Sequence, residues 1–289
     1  MAGSRLVVLR YTPVVSLSRG MRLLARSYLY VPGDRPDRFT KALDSGADAV
    51  IFDLEDAVPL AGKDEARASV VAALEAGSGS DTEQWVRINT ASRGLEDARS
   101  VAGLPGLAGV LVPKSTTDAV GAVVSLVGQA AVAALVESAV GVLHLADIAG
   151  SPGVGALALG EVDMAADLGL IASKDGEELW PIRLSAVVAS AAHGLVPPIG
   201  PVWLDIPDLD GLRASTEMLR RRGFAARQAI HPSQVDVINE AMSPSAEELE
   251  RAARVLQLAE AAGGGACVDE SGRMIDEAVL RSARRLLAP

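Results

Sequence analysis

The chain has 289 residues, of which 49% are hydrophobic and 22% are charged, and its formal net charge is −10. These proportions suit a folded protein with one large core, and the acidic balance argues against nucleic acid as a partner. A single cysteine excludes an internal disulfide, and no charge-free apolar run is long enough to span a membrane. We therefore expect a cytosolic protein with no membrane partner.

Residues 1–26 form an unusual first segment, rich in arginine and serine and without any acid. Such a composition is typical of a transit peptide. The alternative is a start that extends too far upstream, because Met21 stands just before the first strand-like run. We favour an over-extended start or a disordered arm, and we exclude this segment from the prediction of the fold.

From residue 27 onward, short β-rich runs alternate with amphipathic helical patterns, which is typical of an α/β protein with a parallel sheet. Helices are predicted at residues 36–44, 63–76, 117–127, 177–193 and 209–222. Eight strands are predicted, at residues 28–31, 49–53, 85–89, 109–113, 132–136, 156–160, 201–205 and 225–230. Eight such units favour a (β/α)8 TIM barrel over residues 27–242.

The sequence continues beyond the eighth unit, over residues 243–289. Helices are predicted at about 246–262 and 274–287, separated by the glycines at 263–265. A complete barrel leaves this C-terminal helical extension no core to fill. We expect it to pack on a neighbouring subunit, and capping the bottom of the barrel is the ordinary alternative.

Polar residues follow seven of the predicted strands, at the end where barrel enzymes carry their active sites. Glu137 follows the fifth strand and Asp163 the sixth, so neighbouring strands place two carboxylates on one rim. Two carboxylates with water are a ligand set that Mg2+ prefers. The alternative is that each carboxylate caps the next helix or pairs with Arg87 or Lys114, and the spacing alone favours neither interpretation.

Seven short motifs carry a family resemblance that covers nearly the whole chain from residue 27. They are Leu-Tyr-Val-Pro-Gly-Asp at 29–34, Asp-Leu-Glu-Asp at 53–56, Val-Arg-Ile-Asn at 86–89, Val-Pro-Lys at 112–114, Val-Glu-Ser-Ala at 136–139, Ile-His-Pro-Ser-Gln at 230–234 and Met-Ile-Asp at 274–276. In order and spacing they resemble the citrate lyase β-subunit-like group of the aldolase/citrate lyase superfamily, together with its malyl-CoA lyase-like members. The resemblance implies a Mg2+-dependent carbon–carbon lyase that cleaves or forms a 3-hydroxyacyl thioester, such as a citramalyl-, malyl- or citryl-CoA.

The resemblance also implies roles for individual residues. Glu137 and Asp163 are expected to bind Mg2+, and Arg87 to hold a carboxylate or carbonyl oxygen of the keto acid. Asp276 is expected to reach the active site of an adjacent subunit as an acid/base group, in a homotrimer or a dimer of trimers. Further substrate-binding candidates are Lys114, Pro32 and Gly33.

Cleavage of this kind develops negative charge on an enolate oxygen, which Mg2+ and the planar guanidinium of Arg87 are suited to stabilise. Asp276, or failing that Glu55 or Asp56, is the candidate for moving the proton. Glu55 and Asp56 also have an ordinary interpretation, because acids at a helix entrance stabilise the helix dipole and orient a neighbouring arginine. A Schiff base at Lys114 needs a lowered pKa, which nearby carboxylates oppose, so we expect Lys114 to contact a phosphate or a carboxylate.

The sequence departs from the family pattern at several positions. A Glu-Asp pair is usual after the sixth strand, whereas Val162 precedes Asp163 here and the glutamate is Glu161. Arg227 stands where lysine is common, and Gly200 lies near a position where aspartate is common. These changes leave the expected metal pair intact.

Three functions stay open from the sequence. The first is an acyl-CoA lyase or a related enzyme that condenses or hydrolyses thioesters. The second is a metal-dependent aldolase that acts on free pyruvate-derived acids. The third is a non-catalytic member that binds a keto acid and CoA.

Overall fold

The computed structural model describes residues 25–77, 81–263, 266–269 and 271–287. Within them, eight parallel strands close into a barrel in which each strand pairs with the next and the eighth pairs with the first. The strands are β1 (Ser27–Pro32), β2 (Ala49–Asp53), β3 (Glu83–Arg87), β4 (Leu107–Val112), β5 (Ala131–Val136), β6 (Val154–Leu159), β7 (Ile199–Gly200) and β8 (Ala226–Ala229). The predicted (β/α)8 barrel is confirmed.

Helices surround the barrel and cover its outer face. They are α1 (Phe39–Leu43), α2 (Lys63–Ala76), α3 (Ala91–Val101), α4 (Thr117–Val127), α5 (Ala139–Leu143), α6 (Leu145–Ala149), α7 (Glu161–Leu168), α8 (Trp180–Ala192), α9 (Leu209–Arg221) and α10 (Val235–Met242). In α2, Ala66, Val70 and Leu74 are completely buried, and their spacing of four residues aligns them on the barrel side. No helix in the described ranges is long and apolar enough to cross a membrane.

The barrel interior is apolar towards the start of the strands and polar at their C-terminal ends. Ile51 of β2 and Trp85 of β3 belong to the interior apolar cluster. Alternate residues of a strand point to the same side, so Asp53 and Arg87, two positions further along, also face inward. The polar end of the interior is the floor of the candidate site.

The seventh strand is shorter and lies earlier than predicted. The prediction at residues 201–205 is wrong, because β7 is Ile199–Gly200 and pairs with Ala158 and with Ala226. Pro201 has no N–H to donate to a strand ladder, so pairing ends before it. The other seven predicted strands overlap the observed ones.

The beginning of the described chain is part of the barrel. Residues 1–24, which make up most of the predicted N-terminal arm, lie outside the described residues. Ala25 is buried, and Nε and Nη2 of Arg26 donate to the carboxylate of Asp48 at 2.7 and 2.9 Å. The carbonyl of Arg26 also accepts the N–H of Arg227 at 2.8 Å. These two residues therefore belong with β1 rather than with an arm.

The C-terminal extension contains two helices joined by a hairpin: α11 (Ala246–Ala261), β9 (Cys267–Val268), β10 (Met274–Ile275) and α12 (Glu277–Leu287). A capping box between Ser245 and Glu248 begins α11. Nη2 of Arg220 contacts both oxygens of Glu248 at 2.9 Å, which ties α11 to α9. The last helix begins three residues later than predicted, because Met274–Ile275 pairs with β9 instead.

Candidate active site

A cavity of about 460 Å³ lies at the C-terminal mouth of the barrel. Its lining brings together five of the residues predicted from the sequence: Pro32, Asp56, Arg87, Glu137 and Asp163. Tyr30, Asp53, Gly160 and Gln228 also line it. The strand ends therefore deliver both carboxylates of the expected metal pair and the expected substrate-binding arginine to one cavity.

Arg87 is held by three carboxylates. Its Nε and Nη2 donate to the two oxygens of Asp53 at 2.7 and 2.6 Å. Nη1 lies 3.1 Å from an oxygen of Glu55 and 3.7 Å from one of Asp56. The guanidinium carbon also lies 4.9 Å from the centre of the Tyr30 ring. Burial lowers the pKa of Arg87, but the hydrogen bonds that it donates to Asp53 and the negative charges around it together raise the pKa, so the group stays charged.

Glu55 lies between two cations beside this arginine. Its side chain is buried, and its Oε1 accepts a hydrogen bond from Nζ of Lys114 at 3.2 Å. Burial raises the pKa of Glu55, and the positive charge of Arg87 opposes that rise. Nζ of Lys63 donates to the carbonyl oxygens of Leu54 and Glu55 at 2.7 and 2.5 Å, which fixes the backbone here.

Lys114 has a backbone conformation that is rare for a side-chain-bearing residue. Its φ angle is +45°, in the left-handed region. In this conformation its N–H donates to Oε1 of Glu137 at 2.8 Å. Strained backbone of this kind often occurs at functional sites, and here it positions the metal-ligand candidate.

Glu137 is the buried carboxylate of the described chain that has no cation partner. Asp53, Glu55 and Asp97 each pair with an arginine, whereas Glu137, only 2% exposed, has no basic group within ion-pair distance in those residues. Burial raises the pKa of Glu137 to about 7, and the negative charge of Glu55 adds to the rise. A bound cation would offset the cost of burying this charge.

The donor set fits a cation that keeps much of its water. Asp163 also lacks an ion pair within the described ranges, and its negative charge contributes to the raised pKa of Glu137. In the same ranges, no cluster of three or more His, Cys, Asp or Glu side chains could hold a metal. Two carboxylates without a third protein ligand suit Mg2+, which completes its octahedron with water and substrate oxygens.

Gly160 makes room for the Glu137 carboxylate. A Cβ at this position would lie 2.6 Å from Oε2 of Glu137 and 2.7 Å from its Cβ. We expect Gly160→Ala to displace the carboxylate and weaken Mg2+ binding about tenfold or more, a cost of roughly 1.4 kcal/mol. Gly121→Ala is the matched control, because a Cβ there meets nothing within 4 Å. Calorimetric titration with Mg2+ measures both, and equal affinities in the two variants would contradict this role.

Four predicted site residues do not line the cavity: Glu55 and Lys114, which bind each other, and Gly33 and Asp276. Gly33 lies against β2, where its N–H donates to the carbonyl of Asp53 at 2.8 Å and a Cβ would approach that oxygen to 2.9 Å. Its lack of a side chain thus serves close packing. Asp276 is exposed at the start of α12, where its carboxylate accepts the N–H of Val279 at 3.0 Å. Within its own chain Asp276 is not part of the cavity lining.

A family model described as HpcH/HpaI aldolase/citrate lyase matches residues 26–232. The chain belongs to this family. Membership makes the protein an enzyme of the lyase class, in agreement with the resemblance seen in the motifs. The matched residues contain all eight strands of the barrel and every predicted site residue except Asp276.

Relatives cover nearly the full length of the chain. A (3S)-malyl-CoA thioesterase of Cereibacter sphaeroides is 36% identical over 270 residues, which is 91% of this chain and 93% of that protein. An L-malyl-CoA/β-methylmalyl-CoA lyase of the same species is 32% identical over 298 residues, covering 89% and 92%. The crystal structure of CitE from Mycobacterium tuberculosis with magnesium, acetoacetate and coenzyme A has a TM-score of 0.76 at 33% identity, covering 91% and 97%.

The sequence prediction missed three residues that lie beside Arg87: Asp53, Tyr30 and Gln228. The sequence places Asp53 at the end of the second strand, but it does not show that Asp53 pairs with Arg87. Gln228 could have been selected from the sequence, because a polar residue within a buried strand such as β8 indicates a specific role. It accepts the hydroxyl of Tyr30 at 2.7 Å, and its amide donates to the carbonyls of Leu159 and Gly200 at 3.0 Å. Tyr30 and Gln228 therefore line the cavity together with Arg87.

Proposed function

We propose that the protein is a Mg2+-dependent carbon–carbon lyase that acts on a 3-hydroxyacyl thioester, such as a citramalyl-, malyl- or citryl-CoA, and releases a keto acid and an acyl thioester. The observation that carries the proposal is the pair of carboxylates without cation partners, Glu137 and Asp163, in one cavity with Arg87. The relatives support it, because one is a lyase named for L-malyl-CoA and the CitE crystal contains magnesium, acetoacetate and coenzyme A.

Glu137 and Asp163 would hold the metal. When bound, Mg2+ supplies a Lewis acid for the oxygens of the keto acid portion of the substrate. The N–H of Lys114 fixes one oxygen of Glu137, which leaves the other for a ligand role.

Arg87 provides the second positive charge at the reacting carbonyl. Asp53 occupies the Nε–Nη2 edge of the guanidinium and Glu55 faces Nη1, so the N–H groups of Nη1 and Nη2 that face neither carboxylate are the ones that bind substrate. A fixed donor aimed at a developing enolate oxygen stabilises the transition state without reorganisation. The carboxylates of Asp53, Glu55 and Asp56 therefore position Arg87, and the N–H groups of Arg87 that they leave free donate to substrate.

We assign the transfer of the proton during cleavage to a carboxylate of the C-terminal extension. Both oxygens of Glu55 face cations, at 3.1 Å from Nη1 of Arg87 and 3.2 Å from Nζ of Lys114, which suits a positioning residue. Asp56 is more exposed and lines the cavity, so it is the alternative within the same chain. We assign the acid/base role to Asp276 of an adjacent subunit, in a homotrimer or a dimer of trimers.

Hydrolysis is a second candidate activity. The observation that favours it is the (3S)-malyl-CoA thioesterase of Cereibacter sphaeroides, which is 36% identical to this chain. The same cavity would then release a hydroxy acid and free CoA, because the thioester bond breaks instead of the carbon–carbon bond.

The test compares thioesters with the corresponding free hydroxy acids. We expect turnover of malyl- or citramalyl-CoA and none of free malate or citramalate. Turnover of the free acids alone would make the protein an aldolase. Binding of Mg2+ and a keto acid without any turnover would make it the non-catalytic member.

Arg87→Lys tests the role of the guanidinium. Lysine keeps the charge but cannot bind Asp53 through two parallel hydrogen bonds, so we expect kcat/KM to fall by roughly 100-fold. Arg93→Lys is the matched control, because Arg93 contacts exposed Asp64 through one nitrogen at 2.7 Å. Unchanged kinetics of Arg87→Lys would show that Arg87 serves structure alone.

A further inference from the structure

Arg227 is a buried cation without an acidic partner. The residue is 1% exposed. Its Nε donates to the carbonyl of Pro201 at 3.0 Å, and Nη1 donates to the hydroxyls of Ser215 and Thr216 at 3.1 and 2.8 Å. In the part of the chain that the structure describes, no carboxylate lies within ion-pair distance, and Nη2 donates no hydrogen bond. The other two buried or nearly buried guanidiniums beside the barrel mouth, Arg87 and Arg183, each bind a carboxylate through two nitrogens.

This arrangement is costly unless something compensates the charge. Burial lowers the pKa of Arg227 to about 9, and the positive charge of Arg183 adds to the effect. Neutral hydroxyl and carbonyl partners satisfy some of its donors but carry no opposite charge. A buried cation of this kind is stabilised when an anion joins it.

Arg227 lines a second cavity, of about 400 Å³, outside the barrel wall. This outer cavity lies between α7, α8 and the segment that follows β7, and its volume is in the range of small-molecule sites. It shares Glu161, Val162 and Val202 with the active cavity, so the two lie side by side at the rim. Gln228 faces the barrel interior and Arg227, the preceding residue, faces outward, so the active cavity does not contain this cation.

The deep part of the outer cavity carries a net positive charge. Nε and Nη2 of Arg183 bind the two oxygens of Glu161, both at 2.6 Å, and this pair is neutral. Arg227 adds one uncompensated charge. Its guanidinium carbon and Nζ of Lys174 lie 5.5 and 5.7 Å from the centre of the Trp203 ring, so the indole faces two cations.

The acids of the lining other than Glu161 lie towards the solvent. Nζ of Lys174 binds the carboxylate of Asp205 at 2.9 Å. Asp175 is only partly buried, and its carboxylate accepts the hydroxyl of Ser173 at 3.1 Å. Neither group compensates the charge at the bottom of the cavity.

We propose that the outer cavity is a binding site for a small carboxylate or phosphate anion, separate from the metal site, with Arg227 as the group that binds the anion oxygens. The proposal goes beyond the lyase activity and does not depend on it. Carboxylate and phosphate oxygens both accept charge-assisted hydrogen bonds from a guanidinium, and Nη2 is the nitrogen of Arg227 that is left to donate them. The size of the cavity leaves space for an organic body attached to the anionic group.

The test is thermal unfolding in EDTA with inorganic phosphate or with acetate, against NaCl of equal ionic strength. At an anion concentration near ten times the dissociation constant, we expect Tm to rise by roughly 2–4 °C above its value in NaCl with at least one of the two anions. This difference from NaCl is the specific rise. A rise with phosphate alone, or with acetate alone, identifies the ligand chemistry. In Arg227→Met the specific rise should disappear, and the variant should fold, because an apolar side chain of similar length removes a buried charge.

A second variant keeps the cation and fills the cavity. Ala172→Phe changes an exposed residue that lines the outer cavity and not the active cavity, so it should also abolish the rise. Arg35→Met is the control for general anion effects, because Arg35 is an exposed arginine paired with Asp37, and it should leave the rise intact. No specific rise with either anion, or an equal rise in the wild type and in Arg227→Met or Ala172→Phe, would overturn the proposal.

Discussion

Glu137→Gln is expected to abolish measurable Mg2+ binding and lyase activity while the barrel stays folded. The substitution removes one of two charged ligands and leaves the shape of the side chain almost unchanged. We expect the Mg2+ dissociation constant to rise about 100-fold or more, which corresponds to roughly 2.7 kcal/mol. Asp163→Asn should weaken binding in the same direction. Calorimetric titration with Mg2+ measures both variants.

The same variant should be more stable than the wild type at high pH in EDTA. The pKa of Glu137 is raised from 4.5 to about 7, so the folded state disfavours the ionised form. The penalty is absent below pH 4.5, grows as the pH rises towards 7, and is fully present above it. A rise in pKa from 4.5 to about 7 amounts to about 3 kcal/mol at pH 8. Gln carries no such penalty, so its Tm advantage should vanish near pH 4.5.

Glu75→Gln is the matched control for both measurements, because Glu75 is an exposed residue of α2. It should bind Mg2+ as the wild type does and show no Tm advantage at pH 8. Unchanged Mg2+ affinity in both Glu137→Gln and Asp163→Asn would remove the metal-site assignment.

Mixed oligomers of Asp276→Asn and Glu137→Gln subunits are expected to regain activity that neither variant has alone. Asp276 does not line the cavity of its own chain, whereas Glu137 does. If Asp276 acts in the adjacent subunit, some interfaces of a mixed oligomer join an intact metal site to an intact Asp276. Co-expression of the two variants with different tags, followed by purification on both tags, isolates the mixed species for assay.

Asn is the informative replacement at Asp276. The carboxylate accepts the N–H of Val279 at the beginning of α12, and Asn serves this N-cap position about as well. Loss of activity in Asp276→Asn therefore reports proton transfer rather than helix stability. Mixed oligomers that form but remain inactive, with each variant folded, would show that Asp276 works within its own subunit or not at all.

The fold could be predicted because it repeats. Strand and helix periods alternate eight times, and helices such as α2 and α4 end where the sequence patterns end. The seventh strand was misplaced because an apolar run after Pro201 resembles a strand, while backbone hydrogen bonding stops at the proline. The hairpin strand Met274–Ile275 was missed because its partner is only two residues long.

The candidate site could be predicted in part. Position at a strand end made Arg87, Glu137 and Asp163 candidates, the family resemblance gave them roles, and the three residues line one cavity. The pairing of Asp53 with Arg87 depends on the register of two neighbouring strands, which no local pattern contains. Gly33 was predicted to bind substrate because it follows the first strand, at the end of the barrel that carries the site. In the structure it lies close to the backbone of β2.

The measurement that tests the central claim most directly is product analysis of malyl- or citramalyl-CoA after incubation with the protein, in Mg2+ and in EDTA. We predict equal amounts of keto acid and acyl-CoA in Mg2+, and unreacted substrate in EDTA. Release of the hydroxy acid and free CoA without keto acid, or the same products at the same rate in EDTA, would contradict a Mg2+-dependent carbon–carbon lyase.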